Sequence, residues 1–147
     1  MAMGAVNDRA KLSVSANSGM SRLQAVSDAP DCMQTILVDL RTLDTLVAEQ
    51  GLQDPDFIKI DAEGAEALIL EGAAKILERS HPALLIELHD TNQAVEKVLT
   101  RFGYRITPLE NPEGSLMDVG MTGHIVAQCP TPATNAKSPA CATTPLR

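Results

Sequence analysis

The chain has 147 residues, enough for one domain with a real core, and it is 44% hydrophobic but only 2% aromatic, without Trp. Twelve Lys and Arg stand against nineteen Asp and Glu, a net charge of −7. An acidic chain with no clustered basic residues is poorly suited to phosphate backbones or a polybasic membrane contact, so neither nucleic acid nor membrane is an expected partner. Cys32, Cys129 and Cys141 are scattered and form no C-x-x-C pair, which argues against a zinc site or a redox dithiol. Free thiols, no apolar run of membrane-spanning length and no charged-then-apolar leader make cytoplasmic the expected location.

In chain order, Val6 to Arg9 reads as a turn and Ala10 to Ser15 alternates as a strand. Asn17 to Ser21 is a loop by composition. Gln34 to Leu40 is a second strand candidate. Thr42 can cap a short helix from Leu43 to Gln50, which Gly51 would end. Asp54-Pro55 turns the chain into Phe57-Ile58-Lys59-Ile60-Asp61, a short buried strand.

The helix that follows carries Ala65, Leu68, Ile69, Gly72, Ala73, Ile76 and Leu77 on one face. Glu71 and Lys75 lie four apart on its wet face. Gly72 costs ~1 kcal/mol in a helix, which close packing would offset. Ser80-His81-Pro82 stops the helix. Ala83 to Leu88 is apolar apart from Glu87, so strand, helix and strand form a βαβ unit with parallel neighbours. Asn92 to Phe102 is a further helix with Val95, Val98, Leu99 and Phe102 inward and Gly103 as its stop. Tyr104 to Thr107 and His124 to Gln128 are short strands, separated by a Gly- and Pro-rich loop from Pro108 to Thr122. Residues 130–147 hold four of the nine prolines and are expected to be a disordered tail, leaving residues 1–129 as the folded domain.

Alternation places Phe57, Lys59 and Asp61 on one face of the first strand, and Leu85, Glu87 and His89 on one face of the second. If those faces coincide, Lys59 and Glu87 pair across the ladder. Asp61 and His89 then end neighbouring strands at one crevice, and Glu63 and Glu66 occupy the first turn of the next helix. A carboxylate near an imidazole can take a proton from a hydroxyl or amine, which makes His89 and Glu63 the candidate catalytic residues. Asp61 with Glu63 could instead hold a hard cation such as Mg2+. A structural reading stands beside each. Acids at a helix start stabilise it unaided, Glu66 suits a solvated first turn, and His89 suits a surface position after a strand. His81 and His124 belong to no recognisable constellation.

Lys59-x-Asp61-x-Glu63-Gly64-x-Glu66, then Leu70-Glu71-Gly72-Ala73, then Pro82-x-Leu84-Leu85-Ile86-Glu87-Leu88-His89 resembles the signature of FkbM-type methyltransferases. Leu43-Asp44, Gly103-Tyr104 and Asn17 to Ser21 agree with it, so the likeness covers most of residues 5–128. The resemblance implies an α/β, Rossmann-like, mostly parallel sheet and S-adenosylmethionine as cofactor. It further implies methylation of hydroxyls on small molecules such as sugars, with Asp61 and Glu63 lining the cofactor and acceptor crevice. One feature of such enzymes is missing: the early strand and glycine-rich turn that approach the cofactor. Gly4 and Gly19, the only early glycines, form no such pattern. The expectation is a chain lacking the first strand–helix–strand unit, with an unpaired edge on the Phe57–Asp61 strand open to a second polypeptide or to self-association.

Overall fold

The computed structural model describes residues 1–16, 21–23 and 31–130. Most of the expected loop at 17–21 and the expected disordered tail lie outside the described residues. The chain forms two four-stranded sheets. The first comprises β1 (Ala2–Met3), β2 (Asp8–Ser15), β3 (Arg22–Leu23) and β4 (Cys32–Arg41), in the order β1-β4-β2-β3. β2 runs antiparallel to β4 and β3, and β1 runs parallel to β4.

Thr42 caps α1 (Leu43–Glu49) through its hydroxyl, which accepts from Thr45 N at 3.1 Å, and Gly51 closes the turn with φ +61°. This is the cap and stop expected from the residue types.

The second sheet holds β5 (Phe57–Asp61), β6 (Ala83–His89), β7 (Arg105–Pro108) and β8 (Thr122–Gln128), in the order β5-β6-β8-β7. β5 and β6 are parallel neighbours, and β8 is antiparallel to both β6 and β7. The expected βαβ unit is present, but its helical link is broken into α2 (Glu66–Glu71) and α3 (Ala74–Arg79). The break has an identifiable cause. The Asp44 carboxylate, carried by α1, accepts from Lys75 N at 2.9 Å and Ile76 N at 3.0 Å, which starts a new helix at that point. Glu71 and Lys75 therefore sit on different helices rather than one wet face. Gly72 packs against the backbone of Gly4, where a Cβ would overlap the carbonyl oxygen, so the close approach it permits is to the N-terminal segment.

α4 (Asn92–Arg101) buries Val95, Val98 and Leu99 as its spacing predicts, and Gly103 follows with φ +76°. One core joins Ile60, Leu70, Leu77, Leu84, Ile86, Leu88, Val95, Leu99 and Ile125 on the helix-covered side of the second sheet. The opposite side is not covered by a helix among the described residues. Phe57 there is 57% exposed. β5 is hydrogen-bonded to β6 alone among the described strands, leaving one flank without a ladder. No helix of the described residues is long and apolar enough to cross a membrane.

Candidate functional site

The carboxyl end of the parallel pair is where an open α/β sheet presents its ligand site. β5 ends at Asp61, and the chain turns at once: Ala65 N donates to Ala62 O at 3.1 Å, and both central residues, Glu63 (φ +49°) and Gly64 (φ +99°), are left-handed. Glu63 is thus in a tight turn before α2, not in its first turn. A non-glycine residue with positive φ is uncommon and worth noting. Here the turn aims the Glu63 side chain into a cleft of about 360 Å³ lined also by Arg22, His89, Asp90, Thr91 and Met121.

Glu66 departs most from the sequence expectation. It is fully buried rather than solvated. Its Oε1 accepts from Gly64 N at 2.9 Å and sits 2.9 Å from His89 Nδ1, while its Oε2 accepts from the Thr91 hydroxyl at 2.9 Å. The carboxylate closes its own turn and grips the end of β6. No local pattern signals this, because the contacts depend on how α2 docks against β6.

His89 has a 10% exposed side chain and is not a free surface histidine. An ionised Glu66 only accepts, so His89 Nδ1 carries the hydrogen and Nε2 looks toward the cleft. Nε2 lies 3.5 Å from Glu63 Oε1 and 3.9 Å from Glu87 Oε1. Glu63 is further held by Arg22 of β3, 3.1 Å from its Oε2, so the first sheet is tied to the mouth of the second. Arg22 lies 41 positions from its partner and carried no sequence signal.

The expected Lys59–Glu87 pair does not form. Lys59 is in register with Leu85, and Asp61 with Glu87. Because this face is open, Lys59 needs no buried partner, and its amine lies 3.3 Å from Asp61 Oδ2 at the surface. Glu87 instead faces His124, its register partner on β8, with Nε2 to Oε2 at 3.5 Å. Asp61 ends β5 beside Glu87 and does not line the cleft that His89 and Glu63 share. Among the described residues, Asp61, Glu87 and His89 have ligand atoms within 4.8 Å of one another.

The described residues offer carboxylates to a polar cofactor but no glycine-rich cradle for a nucleoside or its methionine arm. The cofactor implied by the resemblance is therefore not accommodated by these residues alone.

The methyltransferase FkbM domain matches residues 4–106 of the chain. A comparison with curated proteins finds no match. Among solved structures, the crystal structure of methyltransferase FkbM from Methylobacillus flagellatus KT is 24% identical over 63% of this chain and 23% of that one, with a TM-score of 0.45. The chain thus spans about a quarter of the length of the structure it matches.

Proposed function

We propose, because the chain belongs to the FkbM methyltransferase domain family, that it forms the acceptor side of an S-adenosylmethionine-dependent O-methyltransferase acting on a hydroxyl of a small molecule or sugar. The observation that carries this reading is the pairing of His89 Nε2 and Glu63 Oε1, 3.5 Å apart at the wall of the cleft. An acceptor hydroxyl approaching both from the cleft meets a base for its proton, and the Glu66 carboxylate behind His89 holds the ring in place. S-adenosylmethionine supplies an electrophilic methyl group when bound. The chain's own residues orient the hydroxyl and remove its proton.

Asp61 and Glu63 are the residues proposed to meet the cofactor's polar groups. Its glycine-rich cradle would come from a further strand–turn–helix beside β5, whose outer flank is open among the described residues. The same open flank favours a second reading, in which this polypeptide is a catalytically inactive binding or assembly module.

Calorimetry with S-adenosylmethionine separates the two. The 147-residue chain should bind it weakly, and the chain joined to a glycine-rich strand–turn–helix should bind it and methylate a hydroxyl acceptor. Tight binding by the chain alone would overturn the need for completion. Absence of binding and transfer in the completed protein would overturn the methyltransferase reading.

A further inference from the structure

His89 stands between a buried carboxylate and an open cleft. Nδ1 donates to Glu66, so a neutral ring turns the lone pair of Nε2 toward Glu87 Oε1 at 3.9 Å and Glu63 Oε1 at 3.5 Å. Among the described residues Nε2 makes no hydrogen bond, and it opens on the cleft. Asp61 and Glu87 stand side by side in the parallel ladder, an arrangement of like charges on one sheet face that is destabilising by itself. Lys59 meets Asp61 and His124 meets Glu87 from the exposed sides, while Nε2 of His89 and the two ladder carboxylates keep ligand atoms within 4.8 Å of one another.

We propose that carboxylate oxygens of Asp61 and Glu87 and the Nε2 of His89 bind one divalent cation, with Glu66 as the positioning residue behind the histidine. Ligands ~2.1 Å from an octahedral ion stand roughly 3 Å apart when cis and ~4.2 Å when trans. The three ligand atoms lie within 4.8 Å of one another, so small side-chain rotations complete the site. Lys59 does not block it, because its contact with Asp61 is an exposed pair that rearranges cheaply. A histidine donating its other ring nitrogen to a carboxylate is the usual outer support of a metal-bound imidazole. One imidazole with two carboxylates suits Mn2+ better than Mg2+, which prefers oxygen alone. The site stands on this geometry whether or not the cleft carries methyl transfer. With an ion bound, His89 is a ligand, and Glu63 is left to take the hydroxyl proton.

The test is Mn2+ titration of the 147-residue chain without any cofactor, by calorimetry and by the electron-spin resonance of free Mn2+. One saturable site is expected, weakened at least ~10-fold in Asp61→Asn and in Glu87→Gln. In Glu66→Gln, which touches no ion, a loss of about 10-fold is expected. Exposed Glu113→Gln should bind as the parent does. Should a variant fail to fold, the parent chain still decides: bound Mn2+ should broaden the His89 ring signals and spare those of His81. No saturable binding would overturn the proposal. So would binding that survives both ligand substitutions, equal broadening at His81, or tighter binding of Mg2+ than of Mn2+.

Discussion

His89 Nδ1 lies 2.9 Å from the Oε1 of Glu66, a carboxylate with no exposed surface. The same carboxylate accepts from Gly64 N and from the Thr91 hydroxyl, so three elements meet on it: the turn after β5, the end of β6 and the approach to α4. Truncation therefore strands a buried amide, a hydroxyl and an imidazole together. Glu66→Ala should lose about 3 kcal/mol or more in denaturant unfolding. Glu66→Gln, which keeps the shape and one acceptor, should lose roughly 1–2 kcal/mol. Equal losses in the two variants would mean that packing, not polar satisfaction, makes the residue matter.

Gly72 sets how closely the N-terminal segment approaches the junction of α2 and α3. An added Cβ would overlap the Gly4 carbonyl oxygen, and Gly4 N is itself bonded to Arg41 O at 2.9 Å. The β1 ladder is only two residues long, so the inexpensive response to Gly72→Ala is for β1 to peel from β4. Overpacking of this kind costs ~1–3 kcal/mol, partly offset by the ~1 kcal/mol that Ala gains over Gly in helical backbone. Amide exchange should accelerate at Met3 and Gly4 while the second sheet stays protected. An unchanged exchange pattern would show that β1 shifts without detaching.

What the sequence made legible follows from local periodicity. Leu84, Ile86 and Leu88 alternate with Leu85, Glu87 and His89, and the first three are the buried ones. Thr42 and Gly51 bracket α1 as their chemistry requires. The misreadings all depend on tertiary contact. Glu66 reads as a solvated acid because its three partners come from other parts of the fold. Shared faces alone pair Lys59 with Glu87, but the register sets Lys59 beside Leu85. The long helix was expected to be continuous because nothing within it announces that Asp44, 31 residues earlier, starts a second one.

Tyr104, the single tyrosine in a chain without Trp, gives an isolated ultraviolet signal. Its buried hydroxyl donates to Pro82 O at 3.0 Å, and burial first, with Cys129 second, raises its pKa well above the ordinary value of 10.0. A group whose folded pKa exceeds its unfolded one stabilises the fold below the unfolded value and loses that contribution as pH rises through the folded one. In an alkaline titration the phenolate band should therefore appear together with loss of helical circular dichroism. Tyr104→Phe should cost about 1 kcal/mol at neutral pH by leaving the Pro82 carbonyl unpaired. Phenolate formation near pH 10 in a still-folded chain would contradict the burial argument.

The acid limb should be governed in part by Asp54, which ties the approach to β5 to the end of α3. The Arg79 guanidinium first, then the Ser80 hydroxyl, bring its pKa down from 3.8 to about 2. A depressed carboxyl contributes stability above its unfolded pKa and loses it as pH falls through the folded value, here between about pH 4 and pH 2. Asp54→Asn removes that titration, so its stability should fall less steeply than the parent's across this window, although it starts lower at neutral pH. Other carboxylates set the remaining slope, and Glu110, drawn down by its hydrogen bonds to the His124 ring and amide, titrates on the same limb. The comparison is a pair of urea-unfolding series from pH 5 to pH 2, one for each protein. Parallel slopes would mean that the Asp54–Arg79 contact is already open in solution, and the loop before β5 would then be anchored by the Ala83 N to Asp56 O bond, at 2.9 Å, instead.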